Sequence, residues 1–202
     1  MSVGRLGDRG QAFPLYIMVV VGLLFAALAL FVIGRAGVIR ADAQSAADAA
    51  ALAAAREARD KVFSGRNLGD LKPEDWDELL GGKAFDPSGA CAKATSFAAR
   101  NNATATCVAA LPEFRVTVTT KGTIGESVVP GTESDHGAAK ATAVIKPRCS
   151  LGPAPTSSLP AAGGPSRVDI NCDGDENIKL DPLNPGKLPQ LARTFFSVRL
   201  VD

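Results

Sequence analysis

The chain has 202 residues, of which 46% are hydrophobic and 21% charged, and its formal net charge is +1. This length allows one ordinary domain beside a membrane anchor. The nearly balanced charge argues against nucleic acid or an anionic membrane surface as an electrostatic partner.

The first predicted element is a membrane-spanning helix. A run of 22 uncharged residues extends from Ala12 to Ile33, with Arg9 before it and Arg35 after it. A helix of that length is about 33 Å long, and the hydrocarbon core of a bilayer is about 30 Å thick. A cleaved signal peptide is the first alternative, but its apolar core is usually about 7–15 residues long. A buried helix of a soluble core is the second, but such helices are rarely apolar on every side.

The orientation of this helix does not follow from flanking charge, because two arginines precede it and two follow it. We place the short N-terminus in the cytoplasm and the larger, cysteine-containing part outside the cell membrane. All four cysteines follow the anchor, and an even number on one side predicts two disulfides in an oxidising compartment. A structural zinc site is the alternative, but the chain has no CxxC pair and one histidine, His136.

An alanine-rich stalk continues the helix to about Phe63, for a total length of about 75 Å. Along it, small residues recur at the 4-3-4-3 spacing of a heptad seam, namely Ile39, Ala43, Ala46, Ala50 and Ala53. Two interpretations of this seam remain open. It packs on the chain's own domain, or it contacts copies of itself or partner proteins in an assembly.

Both ends of this long helix resemble a known family. The opening Arg9-Gly10-Gln11-Ala12 and the alanine-aspartate box Gln44-Ser45-Ala46-Ala47-Asp48-Ala49-Ala50-Ala51-Leu52-Ala53 resemble the N-terminal module of tight-adherence (Tad/Flp) pilus-assembly proteins, the TadE/TadG-like group. The resemblance implies a bitopic, non-enzymatic, pseudopilin-like accessory component of a type IV-related pilus or secretion system. It also implies protein partners in that assembly.

Two properties of relatives in that family do not transfer to this chain. Larger members carry a von Willebrand-type domain with a metal site, and this chain is too short for one, so neither a metal nor a cofactor is expected. Some relatives are cleaved after a glycine, and Gly10 is the corresponding position. Leu15 stands where a carboxylate typically follows, so cleavage at Gly10 is not predicted.

The rest of the chain predicts an α+β fold, with a small pilin-like domain of one or two helices on an antiparallel sheet. One short helix begins at Pro73 and ends at Gly81-Gly82. Its Trp76, Leu79 and Leu80 share one face, and Trp76 is interpreted as core rather than as an exposed binding anchor. A second helix is predicted with Asp86 as its cap, Pro87 as its first residue and an end near Asn101-Asn102.

Four strands are predicted from alternating apolar residues, at Thr104–Leu111, Phe114–Thr120, Lys140–Lys146 and Thr194–Val201. The first two form a hairpin, because only Pro112-Glu113 separates them. The helix from Cys91 to Asn102 spans about 16 Å, and the extended chain back to Cys107 spans about the same. This geometry pairs Cys91 with Cys107 and leaves Cys149 to pair with Cys172, each bridge contributing about 3 kcal/mol.

One motif resembles a calcium loop. The stretch from Asp169 to Asn177 satisfies positions 1, 3, 5, 6 and 9 of an EF-hand loop, with Asp175 among the acidic residues. Position 12 is Leu180, however, so the bidentate carboxylate is missing. A polar turn is therefore favoured over a calcium site.

The predicted organisation is a cytoplasmic head (1–11), a transmembrane helix (12–34), a helical stalk (35–66), an α+β domain (67–149), a Pro/Gly/Ser-rich linker (150–166) and a C-terminal segment whose last strand joins the domain (167–202). No catalytic motif stands out. Two functions remain: a membrane-anchored accessory component of a pilus or secretion assembly, and a membrane-tethered protein that presents a disulfide-stabilised domain to an extracellular ligand.

Overall fold

The structure is a computed structural model that describes residues 12–123, 134–152, 167–174 and 176–201. Within these ranges, a long helix and three shorter ones accompany a four-stranded and a three-stranded antiparallel sheet. The elements are α1 (Ala12–Asp60), a 3₁₀ turn (Leu68–Asp70), α2 (Pro73–Leu80), α3 (Ala90–Arg100), β1 (Ala103–Ala110), β2 (Glu113–Thr123), β3 (His136–Pro147), β4 (Cys149–Leu151), β5 (Val168–Cys172), β6 (Glu176–Leu180), α4 (Leu188–Phe195) and β7 (Phe196–Val201). The predicted α+β class with an antiparallel sheet is confirmed.

The helix α1 has 49 residues and joins two different environments. Its first part is exposed on every side, whereas most residues from Ala43 onward are buried against the domain. Alanine has the highest helix propensity, and Pro14 lies in the first turn, where its missing N–H costs nothing. The chain leaves the helix after Asp60, three residues before the predicted end, and Gly65 follows with a φ of +72°.

The main sheet has the strand order β1-β2-β3-β7, and every neighbouring pair is antiparallel. The predicted β1–β2 hairpin is confirmed, because Ala110 pairs with Glu113 across the turn at Leu111-Pro112. Alternation on β2 is also as predicted: Phe114, Val116 and Val118 are buried, and the residues between them are exposed. The buried side of the sheet packs on α1 and α3.

Aromatic side chains close the core at the end of the domain farthest from the apolar part of α1. The rings of Phe63 and Phe195 lie 5.9 Å apart, and those of Phe85 and Phe196 lie 5.0 Å apart, both edge to face. This arrangement is favourable for the ring quadrupoles. Helix α2 is found where it was predicted, and Trp76 is 2% exposed within the same core, so its interpretation as core is confirmed.

The predicted start of the second helix is wrong. A carboxylate oxygen of Asp86 accepts a hydrogen bond from the backbone N–H of Ser88 at 2.8 Å, which forms a separate turn. Gly89 then has a φ of +78°, in the left-handed region, and the helix starts only at Ala90. The left-handed glycine ends the Asp86 turn before the helical hydrogen bonds begin.

The C-terminal part also departs from the prediction. Thr194 and Phe195 belong to α4, so the last strand begins at Phe196 rather than at Thr194. The small sheet β4-β5-β6 was not predicted. Ser150 and Leu151 pair with β5, so the start of the predicted linker is part of a strand. Its remaining stretch, 153–166, lies outside the described residues.

Candidate functional site

The apolar segment of α1 makes no buried contact with the other residues that the structure describes. From Phe13 to Phe31, 19 residues form a helix that is long and apolar enough to cross a membrane, and none of this segment is buried in the fold. Large side chains such as Phe25 and Met18 are more than two-thirds exposed. An apolar surface of this size needs lipid or protein to cover it.

The alanine seam lies farther along the same helix and is already covered by the domain. Ala43, Ala46 and Ala50 are fully buried, and Ala53 is 6% exposed. The first interpretation of the seam, packing on the chain's own domain, therefore describes this structure. Contact between the seam and a partner stays a prediction, and it would require the domain to move away from α1.

Small residues allow this close packing of helix and sheet. A Cβ atom added to Gly137 of β3 would lie 2.7 Å from the backbone oxygen of Ile39 and equally close to its side chain. Real Cβ atoms almost never approach other heavy atoms so closely, so β3 can contact α1 here only with glycine at this position. The seam predicted from the sequence thus marks a helix–sheet contact within one chain.

Two open grooves flank α1 where it enters the domain. The larger has a volume of about 540 Å³ and the smaller about 330 Å³. The larger is lined by Val38, Ile39, Asp42, Ser45, Asn101, Asn102, Thr120, Gly122 and Thr123. Both are shallow, mixed surfaces, and neither brings together the predicted site residues apart from Ile39.

Both predicted disulfides are present. Cys91 pairs with Cys107, with Cα atoms 5.4 Å apart, and this bridge ties α3 to β1. Cys149 pairs with Cys172, and these residues lie opposite each other on β4 and β5. One bridge therefore holds α3 on the main sheet, and the other joins two of the three strands of the small sheet.

The calcium-like motif forms a hairpin rather than a loop around an ion. Asp169 and Asn171 lie on β5 and pair with Lys179 and Asn177 on β6. An EF-hand loop instead wraps its ligands around one point. Asp175 lies outside the described residues. Within the described ranges, no group of three or more His, Cys, Asp or Glu side chains could hold a metal ion.

One ion pair and one hydrogen-bonded carboxylate lie near the far end of α1. The Arg193 guanidinium lies 3.0 Å from an Asp60 carboxylate oxygen, so hydrogen bonding and charge raise the pKa of Arg193. Hydrogen bonds from Ser88, with a smaller effect of the Lys61 charge, lower the pKa of Asp86. Both sites tie surface segments to the domain, and neither lies in a cleft with a nucleophile.

The side of the sheet that faces away from the helices is basic, which the sequence analysis did not detect. Within the described and regularly paired parts of β2, β3 and β7, one acid, Glu113, and four exposed cations lie on this side, and Lys121 is also exposed at the irregular end of β2; the four cations are Arg115, Lys140, Lys146 and Arg199. We call these four residues the basic sheet face. The sequence of each strand alone indicates which of its residues face outward. The four cations come together only because β3 pairs with β7, which is distant in sequence.

Helix α2 carries the opposite charge. Its eight residues include four exposed carboxylates and no basic residue, namely Glu74, Asp75, Asp77 and Glu78. Asp75 accepts a hydrogen bond from the Lys72 backbone N–H at 2.9 Å and so closes the first turn. The apolar residues of α2 join the core on the helix side of the sheet, whereas the basic sheet face is on the other side.

Together, these features define a class: a chain whose N-terminal helix is a candidate membrane span and continues into a small disulfide-bonded α+β domain. Residues 10–57 match the family model Tad, which is described as Flp pilus-assembly TadE/G-like. The resemblance predicted from Arg9–Ala12 and the alanine box is therefore confirmed. The match covers about a quarter of the chain and contains the apolar segment and almost all of the buried stalk.

No curated protein and no solved structure matches the chain. The family match is thus the comparison on which a functional assignment can be based. It supports a role associated with pilus assembly, and the family is named for assembly rather than for a catalytic activity.

Proposed function

We propose that this chain is a membrane-anchored, non-enzymatic accessory component of a Tad/Flp-type pilus-assembly or secretion system, with a pseudopilin-like organisation. The observation that carries the proposal is the family match over residues 10–57, which coincides with one continuous helix, α1. The part of the chain shared with the family is therefore the part that joins membrane and domain.

The proposed arrangement places the N-terminus in the cytoplasm and the domain outside the membrane. Two disulfides support this orientation, because disulfides persist in oxidising compartments. The bare apolar segment then serves two purposes. It anchors the chain in lipid, and it offers a helical surface to other membrane proteins of the assembly.

The proposal separates a role in assembly from simple tethering. A membrane-tethered binding protein would need its anchor only for attachment, whereas an assembly component uses the anchor for specific protein contacts. In this structure the alanine seam is occupied by the chain's own domain, so partner contacts of α1 are expected before Ala43.

The test is site-specific photo-crosslinking in cells that express the pilus system. A photoreactive residue in place of Phe25, which is 73% exposed, is expected to form adducts with membrane proteins encoded beside this chain. The matched control places the same photoreactive residue at Ser64, an exposed loop position after α1, where adducts with these membrane proteins are not expected. Adducts with lipid alone at Phe25, together with normal pilus formation after deletion of the gene, would contradict the assembly role.

Orientation is tested separately. All four native cysteines are paired, so an added cysteine is the single free thiol. In right-side-out membrane vesicles, an impermeant maleimide should label Thr117→Cys, on the exposed side of β2. The same reagent should fail to label Ser2→Cys until the membrane is permeabilised, and the reverse pattern would place the domain in the cytoplasm.

A further inference from the structure

We infer that the basic sheet face is a docking surface for helix α2 of a second copy of this chain. This inference rests on the proposed role as an assembly component and names one contact that such a component makes. The first observation is the charge of the two surfaces. The basic sheet face has four cations beside one acid, and α2 has four carboxylates without a basic residue.

The cations are available to a partner. Lys140, Lys146 and Arg199 are exposed and, within the described part of the chain, form no ion pair. Arg115 pairs with Glu113 at 3.0 Å, yet its side chain remains 67% exposed. The exposed charge of this face is therefore largely uncompensated by the residues that the structure describes.

The dimensions of the two surfaces agree. On β3, Lys140 and Lys146 are six residues apart, which corresponds to about 20 Å. Arg115 and Arg199 belong to the strands on either side of β3, about 10 Å apart across the sheet. An eight-residue helix is about 12 Å long and about 10 Å wide with its side chains, so α2 fits within this frame.

One chain cannot satisfy both surfaces by itself. The buried residues of α2 are part of the core on the helix side of the sheet, while the basic sheet face is on the opposite side. The contact is therefore heterologous, with the α2 surface of one copy on the sheet of the next. A heterologous contact leaves one free surface at each end, so it builds open chains or rings rather than closed dimers.

The two surfaces also lie at compatible heights above the anchor. A Cβ atom added to Gly82, just after α2, would lie 3.2 Å from a side-chain atom of Pro147, which follows Lys146 directly. Two copies anchored in one bilayer can thus present α2 and the Lys146–Arg199 end of the basic sheet face at the same level. Electrostatic complementarity of this kind selects partner and register more than it adds affinity.

The test uses the full chain in lipid nanodiscs or detergent and a carbodiimide, which joins a carboxylate and a lysine amine in contact. In a mixture of ¹⁵N-labelled and unlabelled protein, intermolecular links are expected between Glu74 or Asp77 and Lys140 or Lys146, with oligomers larger than dimers. At 1 M salt, where charge screening acts within about 3 Å, the yield is expected to fall about tenfold.

Charge reversal makes the test specific. K140E/R199E and E74K/D77K are each expected to lose these oligomers, because like charges then face each other. A mixture of the two variants should recover them, since each reversed surface meets its complement on the other variant. Arg66→Glu, a reversal at an exposed loop residue that belongs to neither surface, is the matched control and should assemble like the unaltered chain.

Three outcomes would overturn the inference: links outside these two surfaces, oligomers that survive K140E/R199E, or a mixture that fails to recover them. If K140E/R199E self-associates normally but no longer binds an acidic polysaccharide, the basic sheet face is a polyanion-binding surface instead. Thermal unfolding of each variant verifies folding, which these exposed positions should not disturb. If this self-association is not found, the photo-crosslinking test of the assembly role is unaffected. If instead photo-crosslinking contradicts the assembly role, the self-association measured here is still valid.

Discussion

The two halves of α1 have different sequences and different surroundings, although the helix is continuous. The half from Phe13 to Phe31 is rich in large apolar residues, and the fold buries none of it. The half from Ala43 to Ala58 consists mainly of alanine, and most of its residues are buried on the sheet and α3. Large side chains suit a surface covered by lipid, whereas small ones let a sheet approach the helix closely. Residue size, together with the absence of charged residues between Phe13 and Phe31, therefore distinguishes the candidate membrane span from the stalk.

The largest expected effect on domain stability comes from comparing substitutions of two phenylalanines, one in each half of α1's surroundings: Phe114 in the domain and Phe25 in the apolar half of the helix. Phe114→Ala empties a fully buried position on β2 and is expected to lower the free energy of unfolding of the domain by about 3–5 kcal/mol. Phe25→Ala, in the apolar half of α1, should leave domain unfolding unchanged. Urea titrations of the full chain in nanodiscs measure both, and equal effects of the two changes would remove the distinction between the halves.

The Cys91–Cys107 bridge should affect only the domain half. Replacing both cysteines by serine opens a loop of 16 residues and is expected to cost about 3 kcal/mol of stability. Membrane retention in an alkaline carbonate wash should stay the same, because the apolar segment is untouched. Release of the double variant from the membrane would show that anchor and domain are coupled.

Overpacking the stalk tests the role of small residues. Ala50→Leu inserts three extra carbon atoms at a fully buried position and should destabilise the domain by about 1–3 kcal/mol. Ala41→Leu, an exposed position on the same helix, is the matched control and should change stability by less than about 0.5 kcal/mol. If Ala50→Leu unfolds like the unaltered chain, the stalk is not packed on the sheet.

The smallest expected effect concerns pH. The hydrogen bonds from Ser88 lower the pKa of Asp86 in the folded chain below its ordinary value of 3.8. This contribution to stability is therefore present above that value and is lost as the pH falls through the folded pKa. Asp86→Asn should lower the urea midpoint slightly at pH 7 and have no effect near pH 2. If Asp86→Asn shifts the urea midpoint equally at pH 7 and near pH 2, the charge of the Asp86 carboxylate is not the cause of the shift.

The features that the sequence predicted correctly depend on local patterns. The uncharged run, the 4-3-4-3 alanines and the alternation around Phe114 each repeat with the period of their element, so neighbouring residues suffice to recognise them. The pairing of Cys91 with Cys107 followed from the rise per residue of one helix and one strand. These predictions needed no knowledge of distant contacts.

The features that were missed depend on distant contacts. The last two residues of α4, Thr194 and Phe195, were assigned to the strand because they directly precede the alternating residues of β7, and packing of Phe195 on Phe63 accompanies the helical form. The strands β4–β6 are only three to five residues long; β4 and β5 are joined by the Cys149–Cys172 bridge, and β6 pairs with β5. The basic sheet face likewise needs β7 beside β3, two strands about fifty residues apart.

The most direct measurement of the central claim is amide hydrogen exchange along α1, for the full chain in nanodiscs at increasing urea concentration. Two separate transitions are expected. Amides from Ala43 to Ala58 should lose protection together with the sheet, while those from Phe13 to Phe31 should stay protected by lipid. Loss of protection in both halves at the same urea concentration, or rapid exchange of the apolar half without urea, would contradict a helix divided between bilayer and domain.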